Sequence, residues 1–110
     1  MELNVRDVRQ GASGGSYLVK YRAKFEITAD PGVEVTIGSI HPMSEASYAS
    51  SAAEAIRMGF EEVLTPRNQG ASVTVYDLSL HPVDFVPTKF MEVTANFLRE
   101  LLDEESGSIR

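Results

Sequence analysis

The chain has 110 residues, 43% apolar and 24% charged, proportions that fit one globular domain large enough to bury a core. It has no cysteine, which excludes disulfides and thiolate-bound metal and is compatible with a reducing cytoplasm, the expected location. Net charge is −6, against whole-surface attraction to nucleic acid or anionic lipid, and no apolar run approaches the ~18 residues of a membrane span, so no membrane partner is expected.

The opening Met1-Glu2-Leu3-Asn4 lacks the basic-then-apolar pattern of a secretory signal. Residues 2–10 alternate loosely, with Leu3, Val5 and Val8 apolar, and read as a strand. Residues 11–16, Gly-Ala-Ser-Gly-Gly-Ser, form a turn able to adopt positive φ at several positions. Residues 17–28 alternate with period two. Tyr17, Val19, Tyr21, Ala23, Phe25 and Ile27 share one face, and Lys20, Arg22 and Lys24 lie on the other. These two strands predict a hairpin with the glycine loop at its tip. Asp30-Pro31-Gly32 is a turn signal. A third strand follows over 33–40, with Val33, Val35 and Ile37 on one face, and extends the hairpin to an antiparallel meander.

The spacing of Ala49, Ala52, Ala53, Ile56, Phe60, Val63 and Leu64 predicts a helix over 47–64. Ser51 and Glu54 have capping-box spacing, and Thr65-Pro66 closes the helix. Residues 72–80 read as the fourth strand. Val73, Val75 and, by continued alternation, Asp77 fall on one face; Thr74, Tyr76, Leu78 and Leu80 fall on the other. A second helix starts near Pro87, with Phe90, Val93, Thr94, Phe97, Leu98, Leu101 and Leu102 in one stripe. Asp103-Glu104-Glu105 stands at the unfavourable end of that helix dipole, so fraying is expected there and a disordered tail over 106–110. The order β-β-β-α-β-α predicts an α+β two-layer sandwich, a single domain over 1–105. Its four-stranded sheet carries both helices on one face.

This pattern resembles domain IV of translation elongation factor G across nearly the whole chain. Gln10 leads into Gly14-Gly15 and then Tyr17, where the family has a Gln, a glycine-rich loop and a Tyr between its first two strands. The helix segment 55–64 leads through Gly70 to Val73-Thr74-Val75-Tyr76-Asp77, similar to the family's helix, Gly-containing loop and Val-x-Val-Thr-Leu strand. Leu78-Ser79-Leu80-His81 and Val83-Asp84 stand where the family has Gly-Ser-Tyr-His and Val-Asp. There are departures. Ser16 stands near the family's loop Arg, Asp84-Phe85-Val86-Pro87 replaces its Asp-Ser-Ser-Glu helix start, and the resemblance extends to no other domain of the factor. It implies a left-handed βαβ crossover, and a tip where Gln10, Gly14, Gly15, Tyr17, His81 and Asp84 lie together. In that family, the tip contacts messenger and transfer RNA in the decoding centre.

The residues themselves suggest little catalytic chemistry. The glycine-rich turn lacks the lysine of a phosphate-binding loop. His41 and His81, each followed by proline, are too few for zinc, and no cofactor is expected. Asp77, His81 and Asp84 are close in sequence, but no nucleophile is specified among many serines. Tyr17, Tyr21 and Phe25 share the face that must meet the helices, so they read as core rather than as base-stacking platforms. Residues 1–24 carry a net +3 and residues 25–110 a net −9, which leaves Lys20, Arg22 and Lys24 as the basic face. The expected function is a non-enzymatic binding module, RNA- or ribosome-associated through loops 10–17 and 79–84. The alternatives are a protein-interaction or self-associating domain, and a small hydrolase or transferase using His81 and Asp84.

Overall fold

The computed structural model describes residues 1–10 and 15–107. Four strands and two long helices follow in the order β1 Glu2–Arg9, β2 Tyr17–Thr28, β3 Gly32–Ile37, α1 Ala49–Leu64, β4 Gly70–Ser79 and α2 Pro87–Gly107. Short 3₁₀ turns at Ala46–Tyr48 and Thr65–Arg67 flank α1. The result is an α+β two-layer sandwich with one four-stranded sheet.

The strand order is β1-β2-β4-β3, which corrects the expected meander. β1 and β2 form the antiparallel hairpin, but β4 enters between β2 and β3, antiparallel to the first and parallel to the second. The reason lies at the Asp30-Pro31-Gly32 turn. Gly70, the first residue of β4, pairs with both Thr28 and Gly32, so the turn arches over the start of β4. A Cβ on Gly70 would stand 2.2 Å from the Gly32 carbonyl oxygen and 2.5 Å from that of Asp30, so only glycine fits beneath the arch. The apolar balance agrees with this order. β4 buries Ala71, Val73 and Val75, as a central strand should, whereas Val33, Val35 and Ile37 of β3 are half-buried at an edge.

One face of the sheet carries Leu3, Val5, Val19, Tyr21, Ala23, Phe25, Val73 and Val75 into the core. Both helices cover it, α1 over β3 and β4, α2 over β1 and β2. Ile56, Phe60 and Leu64 of α1 and Phe90, Leu98 and Leu102 of α2 are buried there. Gly59 lets the helices meet closely: a Cβ there would lie 2.8 Å from the Met91 carbonyl oxygen and 2.8 Å from Thr94 Cβ. Next to this contact, the Tyr21 and Thr94 hydroxyls share a buried hydrogen bond of 2.6 Å. Burial pushes the Tyr21 phenol well above its ordinary range, with the Thr94 bond opposing in smaller part. Phe25 meets Phe60 edge-on with centroids 5.3 Å apart, and Tyr21 stacks on Phe90 at 6.4 Å.

Several local expectations change. Ser51 lies inside α1 and is not its cap. The chain enters through the turn at Ala46–Tyr48, where the Glu45 side chain accepts from Ser47 N–H, and Glu54 instead pairs with Arg57. α2 continues to Gly107, past the point where a tail was expected to begin; residues 108–110 lie outside the described residues. Val8 is exposed on the face opposite Leu3 and Val5, across from Leu18, as strand alternation requires.

Candidate functional site

The tip is built from the root of the hairpin and the connection between β4 and α2. Of the expected tip residues, Gly14 falls within 11–14, outside the described residues. Gln10 is exposed at the end of β1, and Gly15 has a φ of +78°. Tyr17 is half-buried; its hydroxyl donates to Asp7 Oδ2 at 3.1 Å, and Lys89 Nζ lies 5.3 Å from its ring centroid. That cation–π contact ties the hairpin root to the first turn of α2.

Asp84 joins the two halves of the tip. Its carboxylate accepts from Ser16 Oγ at 3.0 Å, and its carbonyl accepts from Leu18 N–H at 3.0 Å. Asp84 N–H donates to the His81 carbonyl at 3.0 Å, closing the turn that carries His81, which is half-buried. Phe85 anchors this turn by stacking on Tyr48, at 5.0 Å, and meeting Phe90 in a tilted contact, at 5.4 Å. These bonds tie Asp84 to the hairpin root and to its own turn. It does not cap α2, whose first turn is closed by N–H groups of Lys89 and Phe90 donating to the Val86 carbonyl. Among the described residues, no hydrogen bond joins His81 to the Asp84 carboxylate, which is occupied by Ser16.

The second element is the sheet face away from the helices. Lys20, Arg22 and Lys24 project from it and are exposed, as their alternation requires. Cross-strand partners share a face, so Arg6 joins Lys20, Asn4 joins Arg22 and Glu2 joins Lys24. Toward the tip the face is basic; at the far end, Glu26 and Glu34 flank Ser72 in one row. Lys24 Nζ lies 6.0 Å from the Tyr76 ring centroid.

A bulge, missed in the sequence reading, shapes this face. Arg22 pairs with Tyr76, but Lys20 pairs with Ser79, so β4 carries one extra residue. Asp77 absorbs it with a φ of +53°. Its carboxylate pairs with Arg22, Nη2 to Oδ2 at 2.6 Å, and its N–H donates to Ser39 Oγ at 3.0 Å. The bulge turns Leu78 and Leu80 into the core, where continued alternation had set them on the other face. The signal was present in the sequence: the apolar positions shift from odd (Val73, Val75) to even (Leu78, Leu80) across an Asp that strands disfavour. Beyond the bulge, the chain after β3 continues alongside β4 through the Ile40–Leu78 bridge, and His41 N–H donates to the Leu78 carbonyl at 2.9 Å. This brings His41, Asp77 and Ser79 around one recess. Among the described residues, no hydrogen bond joins His41 to Asp77 or Ser79, so they do not form a charge-relay set; His41 Nδ1 accepts from Met43 N–H at 3.3 Å.

The helix layer carries a third feature, a groove of about 440 Å³ between the N-terminal halves of α1 and α2, with Ala55, Met58, Pro87 and Met91 in its lining. Among the described residues, no group of three or more His, Asp or Glu side chains is placed to hold a metal, and no helix is long and apolar enough to cross a membrane.

No family model matches the chain, and no curated protein matches it. Among solved structures, it is similar to a crystal structure of a protein from Thermus thermophilus, with a TM-score of 0.57 at 17% identity. The match covers 90% of this chain and 15% of that one, so the Thermus protein is several times longer. The likeness is one of fold: this β-β-β-α-β-α sandwich is similar to a small part of that larger Thermus thermophilus chain.

Proposed function

We propose that the chain is a non-enzymatic binding module that engages RNA, alone or in a ribosome, through its tip and the adjoining basic sheet face. The observation that carries this reading is the pair of contacts at Asp84. Ser16 Oγ and Leu18 N–H both bond Asp84, so the connection 81–84 lies against the hairpin root. That is the arrangement the resemblance to elongation factor G domain IV implies. The match to a small part of a much longer chain is in keeping with a module of this kind. Lys20, Arg22 and Lys24, with Arg6 opposite Lys20, gather phosphate-seeking charge on one face of a net −6 molecule. The test is co-sedimentation of the purified protein with ribosomes across a salt series. Association at low salt that weakens as salt rises supports the reading, and no association at the lowest salt refutes it.

A second reading, a protein-interaction domain, draws support from the apolar groove between α1 and α2, where Met58 is 44% exposed. Recovery of a stoichiometric protein partner whose binding is abolished by Met58→Glu, with RNA binding absent, would favour it.

A further inference from the structure

The β4 bulge opens a recess of about 290 Å³ on the open sheet face, lined by Lys20, Tyr21, Arg22, His41, Asp77 and Ser79. Three independent features distinguish it from an ordinary solvated sheet surface.

The first is backbone strain with an orienting role. A left-handed φ is uncommon for a non-glycine residue, and strained residues at bulges re-aim side chains. Here Asp77 Oδ2 accepts from Arg22 Nε at 2.9 Å and forms an ion pair with Nη2 at 2.6 Å, while Ser39 holds the Asp77 N–H. Asp77 thereby orients the guanidinium along the edge of the recess, and among the described residues its Nη1 has no partner. The second is unbalanced charge. Arg6 and Lys20 stand directly opposite each other across β1 and β2, an arrangement that costs stability, and among the described residues neither has a carboxylate partner. The third is donor polarity. With Nδ1 of His41 accepting from Met43 N–H, Nε2 is the nitrogen that carries the proton in the neutral ring. The recess and its border thus present Arg6, Lys20, Arg22, His41 and the Ser79 hydroxyl against one carboxylate, and that carboxylate is already engaged.

A site with an excess of cationic and N–H donors, one of them a guanidinium oriented from behind by Asp77, matches a tetrahedral oxyanion. We propose that this recess is an anion site that takes a phosphoryl group, with Lys20, Arg22 and His41 as its ligands and Asp77 as the residue that positions Arg22. In its biological form the group is a phosphodiester of the RNA backbone, and that identification rests on the function proposed above.

The test is amide-shift mapping of ¹⁵N-labelled protein titrated separately with inorganic phosphate, with a short single-stranded oligouridylate, and with sodium chloride at matched ionic strength. Phosphate and the oligonucleotide should both move the amides of Lys20, Arg22, His41 and residues 77–79; chloride should not. Lys20→Ala and His41→Ala replace exposed side chains, so the spectra should stay folded while each weakens oligouridylate binding about fivefold, the scale of one lost charge-assisted contact. Oligonucleotide binding that shifts only residues 15–17 and 81–84 would overturn the site and leave the binding function standing. Phosphate shifts at the bulge without oligonucleotide binding would uphold the site, assign it to free phosphate and refute the RNA reading. If neither probe moves the bulge amides, the site is overturned.

Discussion

Replacing Gly59 by alanine sets two opposed effects against each other, and the geometry decides between them. In an isolated helix the change is worth about 1 kcal/mol of added stability, because glycine is the poorer helix former. Here the new Cβ would lie 2.8 Å from the Met91 carbonyl oxygen and 2.8 and 2.9 Å from Thr94 Cβ and Cγ2. The Met91 oxygen is helix backbone and cannot swing aside. Thr94 is fully buried and hydrogen-bonded to Tyr21, so its displacement disturbs a second buried contact. Overpacking of this kind costs about 1–3 kcal/mol, and the strained Tyr21–Thr94 bond adds about 1 more. The net expectation for Gly59→Ala is a loss of about 1–3 kcal/mol, a fall of about 4–18 °C in Tm for a domain of this size. Ser51→Ala, on the exposed side of the same helix, keeps the propensity gain without the clash and should be neutral or slightly stabilising. Urea melts of the three proteins give the comparison. Gly59→Ala as stable as the parent protein would mean that the helices do not touch at Gly59, and the close α1–α2 packing would have to be abandoned.

Other consequences can be checked alongside. Tyr21→Phe leaves the Thr94 hydroxyl buried without its partner and should cost about 1–2 kcal/mol at neutral pH. Because burial raises the Tyr21 pKa, its contribution is fully present below the ordinary tyrosine value of about 10 and is lost as pH climbs beyond it. The stability gap between parent and Tyr21→Phe should therefore shrink above that pH; a gap that widens there would contradict the burial. Asp77→Gly relieves a left-handed backbone but removes a pair whose side chains are 65% and 58% exposed, so the two effects should cancel to within about 1 kcal/mol. Asp77→Val, a β-branched residue at positive φ, should lose about 2 kcal/mol. Equal stability of the two variants in thermal melts would argue against the bulge. Asp84→Ala should leave global stability nearly unchanged but speed hydrogen exchange at Leu18, whose N–H donates to the Asp84 carbonyl, because the Ser16 bond that holds this connection in place is lost. Unchanged exchange would mean that Asp84 does not hold the tip.

Much of this architecture is legible wherever one periodicity runs undisturbed. Twelve residues of strict alternation define β2 to the residue, and the stripes of α1 and α2 put Phe60, Phe90 and Leu98 in the core without any structural input. Pro87 opens α2 as its missing N–H requires. The misplaced third strand has a non-local cause. A three-residue turn ordinarily joins neighbouring strands; that Asp30-Pro31-Gly32 instead arches over Gly70 depends on a residue 40 positions away. The capping-box spacing of Ser51 and Glu54 is real but lies one turn inside a helix whose entry is set at Glu45. At the candidate site, the alternation of Lys20, Arg22 and Lys24 gave their face correctly. The meeting of Ser16 with Asp84 and the approach of His41 to the bulge both require the folded sheet, and no spacing rule contains them.

The most direct test of an RNA-binding tip and face is fluorescence anisotropy of a labelled single-stranded RNA measured over a salt series. Two or three phosphate contacts should give a slope of about −1.4 to −2.1 in log K against log salt, at about 0.7 per contact. In Lys20→Ala/Lys24→Ala the slope should flatten by about two contacts' worth. Absence of binding at about 50 mM salt, or a slope that the double substitution leaves unchanged, would contradict a role for this face in holding the RNA backbone.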